Sequence, residues 1–237
     1  VGREARVFSA QTEVTDELEL LPTYAVAFSG CQLRCDFCVT GAASWNARVG
    51  EVWEAGKMEA RVQAAVSGGA RSVMVLGGEP VLHLTAVLEL AAMVPEEVPL
   101  VLKTNGGLGR EARGFLGGVI DVWLPDFKFG NDRCALRLAG VDDYWAIMTK
   151  NVEWMAREGG GALVVRHLLM PGHLECCWEP VARWLSSRMA GVRVSLREGY
   201  VPAWKADRHP ELQRWVSGSE MERARQVAAA CGLELVP

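Results

Sequence analysis

The chain has 237 residues, half of them hydrophobic and 23% charged, with Lys plus Arg at 25 against Asp plus Glu at 29 for a formal charge of −4. This composition excludes the disordered class, and no run of about 18 apolar residues offers a spanning helix. The acidic balance gives no general field to draw in nucleic acid or an anionic membrane, so neither is expected as a partner. A soluble globular protein is expected, as one domain over 1–237, with a core over about 23–200 and a C-terminal helical closure over about 201–237. The sequence opens Val1-Gly2-Arg3 without an initiator Met or an apolar targeting region, which leaves room for an upstream segment.

Short apolar runs recur along the chain with helical stretches between them. The candidate strands are Thr23 to Phe28, Arg71 to Leu76, Leu100 to Lys103, Val119 to Leu124, Ala162 to Leu169 and Val192 to Leu196. Each is nearly continuous in hydrophobicity instead of alternating, as parallel strands covered on both faces are. Between Val52 and Ser67 the residues Met58, Val62, Ala65 and Val66 share a helical face, and Leu84 to Met93 is rich in Leu, Ala and Val. Ser219 with Glu222 predicts a capping box for a last helix whose apolar face is Ala224, Val227, Ala228 and Cys231. Six βα units are too few for a closed eight-stranded barrel. They suit an α/β fold that is either a partial barrel or a doubly wound sheet.

In both architectures the loops after the strands share one end of the sheet, where ligands bind. Those loops hold the polar residues: Ser29-Gly30-Cys31, Gly77-Gly78-Glu79-Pro80, Lys103-Thr104-Asn105-Gly106, Asp126-Phe127-Lys128, Arg166-His167 with Pro171-Gly172-His173, and Arg197-Glu198-Gly199-Tyr200. The strongest signal among them is Cys31-Gln32-Leu33-Arg34-Cys35-Asp36-Phe37-Cys38, a C-x3-C-x2-C directly after a strand. A structural zinc site wants four closed ligands, and the nearest candidate for a fourth, His83, belongs to the next βα unit. An iron–sulfur cluster can use three thiolates and leave one iron open.

The other cysteines are Cys134, Cys176, Cys177 and Cys231, making seven in all. An odd number in a chain this long points to a reducing cytoplasm, not to disulfide stapling. Cys134 and Cys231 fall on helices and are expected in the core. Adjacent cysteines do not easily ligate one metal, so Cys176-Cys177 reads as packed thiols; the alternative is that they line a substrate site with His173. Arg166 interrupts Leu163-Val164-Val165, a costly place for a charge without a partner. His167 alternates to the other face and reads as a core histidine. Trp45, just after the cysteine loop, is the candidate for a lid or a substrate contact.

On these motifs the sequence resembles the radical S-adenosylmethionine (SAM) superfamily, and within it the activating-enzyme branch related to pyruvate formate-lyase activase and its poorly characterised relatives. The resemblance implies a partial (β/α)6 TIM-like barrel, the radical SAM core, open on one side. It implies that Cys31, Cys35 and Cys38 bind a [4Fe-4S] cluster whose open iron takes the methionine end of SAM, and that Phe37 packs near the adenine. Gly77, Gly78, Glu79 and Pro80 match the GGEP loop, with Glu79 accepting from the methionine ammonium. Thr104 and Asn105 would reach the ribose or a methionine polar group, although an ordinary Asn-Gly turn explains them too. Asp126 would face the SAM amine, Lys128 its carboxylate, and Arg166 would lie near SAM. Tyr200, Pro202 and Lys205 resemble a Q-Y-x-P stretch in which Gly199 replaces the Gln.

The resemblance further implies reductive cleavage of SAM, fed by an external electron donor such as flavodoxin or ferredoxin in an anaerobic or well-reduced cytoplasm. The hydrogen atom would come from a protein or peptide substrate. A small-metabolite substrate is the alternative. The third class, a non-catalytic iron–sulfur binding module, has no need of the GGEP loop or the Asp126/Lys128 pair.

Overall fold

Strands that are buried on both faces must pair in parallel and be covered by helices, and this rule governs the architecture. The computed structural model describes residues 4–14 and 17–236. In chain order the elements are β1 (Arg6–Glu13), β2 (Thr23–Phe28), α1 (Ala42–Trp45), β3 (Glu51–Val52), α2 (Ala55–Ser67), β4 (Ser72–Gly77), α3 (Leu84–Ala91), β5 (Leu100–Thr104), α4 (Arg110–Leu116), β6 (Val122–Pro125), α5 (Asp132–Ala139), α6 (Tyr144–Glu158), β7 (Ala162–Leu168), α7 (Glu179–Arg188), β8 (Arg193–Arg197), α8 (Gly218–Ala230) and β9 (Glu234–Leu235).

The sheet runs β3-β1-β2-β4-β5-β6-β7-β8-β9. All six expected strands are present as β2, β4, β5, β6, β7 and β8, each parallel to its neighbour. This is the partial (β/α)6 barrel, and β2 is buried along its whole length. The sequence reading did not contain β1, β3 or β9. β1 lies antiparallel on β2 with several half-exposed residues, so it lacks the continuous apolar signature, and β3 and β9 are two residues each. No helix among the described residues is long and apolar enough to cross a membrane.

Two local expectations change. The capping box of α8 forms from Ser217 and Glu220, two residues before the pair read from sequence, because α8 already starts at Gly218. Its apolar face is as expected, with Ala224 and Ala228 buried and Val227 and Cys231 packed beside them. His167 is the core histidine expected, its ring nitrogen Nδ1 donating to the Phe127 carbonyl at 2.6 Å.

Candidate active site

The loops at the C-terminal ends of the parallel strands enclose a cavity of about 470 Å³, within the ~300–1,000 Å³ of a drug-sized ligand site. Cys31, Cys35, Cys38 and Phe37 line it from the loop after β2, and Gly77 and Gly78 from the loop after β4. Thr104 and Asn105 enter after β5, Asp126 and Lys128 after β6, and Arg166 from β7. Glu79 and Pro80 do not line it; both are buried behind the wall.

The cysteine loop is held from outside by α5. Arg34 and Asp36 donate their backbone N–H groups to the carbonyls of Ala139 at 2.8 Å and Leu138 at 2.9 Å, so the loop rests on the last turn of that helix. Asn105 braces the first thiol, with Nδ2 3.4 Å from Cys31 Sγ, while its Oδ1 accepts from Gln32 at 3.0 Å. Burial, aided by the charge of Glu79, pushes the Cys31 thiol up to about 11, and burial pushes Cys35 up to about 12. Thiols in that condition ionise when a cation arrives to take them. The three sulfurs lie outside the 4.8 Å mutual spacing that ligands of one ion would keep, and they face one cavity. Their number and spread fit a polynuclear cluster with one open metal, not a closed mononuclear site.

The glycines of the Gly77-Gly78-Glu79-Pro80 turn serve close packing. Gly77 has φ +122, and a Cβ on either glycine would collide with the backbone of Phe28 or of Gly30. The turn is therefore pressed against the end of β2, with Gly78 N–H donating to Phe28 O at 2.7 Å and Glu79 N–H to Gly30 O at 2.8 Å. The Glu79 side chain is turned into the wall of the cavity. It is fully buried, accepting from Thr104 Oγ1 at 2.7 Å, Asn105 N at 2.7 Å and Val81 N at 3.3 Å. Burial raises its carboxyl to about 7 against the opposing pull of those donors. Glu79 thereby positions Thr104 and Asn105, and Asn105 in turn positions Cys31.

The floor is charged. Asp126 Oδ2 is 2.6 Å from Lys128 Nζ and its Oδ1 is 3.0 Å from Arg166 Nη1. Burial alone would raise the Asp126 carboxyl, but Lys128, Arg166 and Lys103 hold it well below the carboxylate range, so it is ionised at all ordinary pH. Arg166 also meets buried Glu17 at 2.7 Å, which supplies the partner that a charge inside β7 requires. Glu17 escaped the sequence reading because it lies in an irregular stretch before β2. Its role is visible only once Arg166 and Ser195, which donates to it at 2.7 Å, are adjacent in space. Tyr144 was also missed: its hydroxyl accepts the Lys128 N–H at 2.8 Å from a position read only as helix.

The rim is formed by the segment after β8. Trp45 lines the cavity, packs edge-on against Trp204 with centroids 5.8 Å apart, and lies under Lys205 Nζ at 3.8 Å. Tyr200 is buried and donates to Leu212 O at 2.8 Å, its ring 6.5 Å from that of Phe37. His173, Cys176 and Cys177 do not line this cavity.

The sequence model of the Radical SAM superfamily matches residues 26–185, and the chain belongs to that superfamily. Its cofactors are accordingly a [4Fe-4S] cluster and SAM. An uncharacterized protein of Methanocaldococcus jannaschii is 30% identical over 232 residues, covering 93% of this chain and 66% of that protein's length. The 7-carboxy-7-deazaguanine synthase of Methanothermobacter thermautotrophicus is 30% identical over 87 residues, 37% of this chain and 34% of that enzyme. Among solved structures, Streptococcus suis SuiB bound to the precursor peptide SuiA superposes with a TM-score of 0.63 at 16% identity, covering 87% of this chain and 46% of SuiB. A domain of a pyruvate-formate lyase-activating enzyme from Bacteroides vulgatus gives 0.56 at 18% identity, with 70% and 97% covered. At those identities the structural likeness is one of fold.

Proposed function

We propose that this chain is a radical SAM enzyme that abstracts a hydrogen atom from a residue of a protein or peptide. The observation that carries the reading is the single cavity bringing together three thiols, the Gly77-Gly78 backbone and the Asp126–Lys128–Arg166 ion group. When bound, a [4Fe-4S] cluster would supply the reducing electron and SAM the hydrogen-abstracting group. The residues' part is to bind, orient and exclude water. Cys31, Cys35 and Cys38 hold the cluster in this assignment, and Phe37 packs beside the adenine. Asp126 takes the methionine ammonium, with Lys128 and Arg166 for the carboxylate, an arrangement of charge-assisted hydrogen bonds. Gly77, Gly78, Thr104 and Asn105 complete the wall, with Glu79 and Pro80 behind it.

A cavity of this size is filled by one drug-sized ligand beside a cluster, so the substrate's reacting atom reaches it from the rim near Trp45 and Lys205. A residue presented on a polypeptide suits that approach. The folds shared with SuiB, solved with a precursor peptide, and with an activating-enzyme domain support the same reading. An external donor such as flavodoxin or ferredoxin provides the electron. The second reading, a small metabolite, draws on the segment shared with 7-carboxy-7-deazaguanine synthase, whose name describes a small-molecule product.

Label transfer separates the two. Reduced enzyme and SAM are incubated with a lysate from cells grown on deuterated amino acids, fractionated by size, and deuterium is measured in 5′-deoxyadenosine. Transfer from the macromolecular fraction is expected, and transfer from the small-molecule fraction alone overturns the polypeptide reading. Absence of 5′-deoxyadenosine under all reducing conditions overturns the enzymatic reading altogether.

A further inference from the structure

Cys134, His173, Cys176 and Cys177 bring their ligand atoms within 4.8 Å of one another, the only such group of three or more among the described residues. The residues come from α5 and from the turn after β7, and none lines the cavity of the candidate active site. Cys134, His173 and Cys177 are buried and Cys176 is half-buried. The separations are 3.7 Å from Cys134 Sγ to Cys176 Sγ, 3.9 Å between the Cys176 and Cys177 sulfurs, and 3.2 and 3.5 Å from His173 Nδ1 to the Cys176 and Cys177 sulfurs. A tetrahedral zinc ion with Zn–S of about 2.3 Å and Zn–N of about 2.0–2.1 Å has S···S edges near 3.8 Å and S···N edges near 3.6 Å. These four of the six edges lie within 0.4 Å of that tetrahedron. Iron–sulfur cluster ligands, each on a different iron atom, would be farther apart.

We propose that these four side chains form a structural zinc site, Cys3His, separate from the cluster-binding cysteines. The groups around it are those of a metal site. His173 turns Nδ1 to the thiols, and its Nε2 lies 3.4 Å from Glu211 Oε1, the kind of carboxylate that fixes a ligating imidazole's tautomer, and 3.1 Å from Arg137 Nη2, which holds that same carboxylate oxygen at 2.6 Å. Asn131 Nδ2 lies 3.4 Å from Cys134 Sγ, so one sulfur already has a donor suited to a thiolate. Gly130 is needed there, since a Cβ would strike the Cys176 and Cys177 carbonyls.

Adjacent cysteines do not easily ligate one ion. The answer is the wide turn Leu174–Trp178, a π-helical turn in which the Trp178 N–H reaches back to His173 O. With more residues per turn, it rotates less from one residue to the next, which lets Cys176 and Cys177 point the same way. Binding releases the thiol protons, leaves zinc on three thiolates and a neutral imidazole, and requires no oxidant or reductant. The ion would fasten α5 to the turn after β7, and α5 is the helix whose last carbonyls hold the cysteine loop of the active site.

The test counts metals in the full chain purified anaerobically and desalted through a chelating resin, with zinc and iron measured separately. About one zinc per chain is expected beyond the cluster's iron. Cys134→Ser and Cys176→Ser should lose the zinc and keep the iron, while Cys231→Ser, outside the group, should lose neither. Protein grown on cobalt should show the intense visible bands of tetrahedral thiolate-bound Co²⁺, a readout that stands on the unmutated chain even where a variant fails to fold. Wild-type protein without zinc, zinc that survives both substitutions, or a cobalt spectrum of octahedral oxygen ligation overturns the proposal. The iron count reports independently on the active-site reading.

Discussion

His209 Nε2 meets Asp36 Oδ2 at 3.0 Å, so the segment following β8 is latched onto one of the two residues between Cys35 and Cys38. Lys205 N–H adds a bond to the Asp36 carbonyl at 2.8 Å, and Arg208 reaches its other carboxylate oxygen at 3.5 Å. On its far side His209 Nδ1 is 3.3 Å from Arg137, the residue that holds Glu211 beside His173. A continuous polar chain therefore joins the Cys3His group to the cysteine loop.

His209→Ala removes the side-chain latch and leaves the Lys205 backbone bond. A loss of about 1 kcal/mol in denaturant unfolding is expected for a half-buried hydrogen bond. Iron should pass to a ferrous chelator several-fold faster than in the wild type. An unchanged release rate would mean that the latch does not restrain the loop.

Replacing Cys31, Cys35 and Cys38 together by Ala should reduce iron from about four per chain to background after anaerobic reconstitution. The dithionite-reduced electron paramagnetic resonance signal should vanish with it. A signal that persists would assign the cluster to other thiols and dismantle the proposed site.

Much of this was legible in the sequence, for reasons that differ between elements. The six parallel strands announced themselves because strands covered on both faces carry unbroken apolar runs, and the C-x3-C-x2-C loop because its ligands are contiguous in the chain. β1 was not legible: an antiparallel strand between the short β3 and β2, half-exposed over most of its length, has no such run. Glu79 was placed in the right loop, but spacing does not tell whether its carboxylate faces the cavity or the Thr104 and Asn105 donors behind it, which it meets here. The Cys134 group joins residues 42 positions apart through a π-helical turn, a geometry that adjacency in sequence argued against.

His167 predicts an acid limb of stability. Burial lowers its pKa from 6.5 to about 4; the carbonyl of Phe127 and the charge of Asp126 pull the other way, and Lys128 adds to the lowering. Because the folded value is depressed, the contribution is complete above pH 6.5 and is lost as pH falls from 6.5 toward 4. The full span corresponds to roughly 3 kcal/mol. His167→Asn keeps a donor for Phe127 O and cannot titrate, at the expense of ring contact with Trp178 at 4.9 Å. Its urea midpoint should lie below the wild type at pH 7.5 and decline less between pH 6.5 and 4.5. Parallel declines in the two proteins would show that other groups set the acid limb.

The Asp126 site predicts a coupled loss of affinity and stability. Asp126, Lys128 and Arg166 keep only 14–21% of their side-chain surface exposed, so each charge depends on its neighbours more than a surface ion pair would. Asp126→Ala leaves Lys128 and Arg166 facing each other across the cavity floor, and it removes the acceptor proposed for the SAM ammonium. Lys128→Ala leaves Asp126 with Arg166 and removes a donor for the carboxylate. Each should weaken SAM binding by about 1–3 kcal/mol, the range for truncating one partner of a partly buried charged contact. Asp126→Ala should also lower stability without SAM by more than Lys128→Ala, because it takes the carboxylate from Lys128 and leaves that cation against Arg166, which keeps Glu17, whereas Lys128→Ala leaves Asp126 paired with Arg166. Isothermal titration of SAM into the reconstituted variants, with denaturant unfolding of the same samples, reads both effects. Unchanged SAM affinity in both variants, with stability reduced, would mean that the ion group serves the barrel alone and that the methionine end of SAM is held elsewhere.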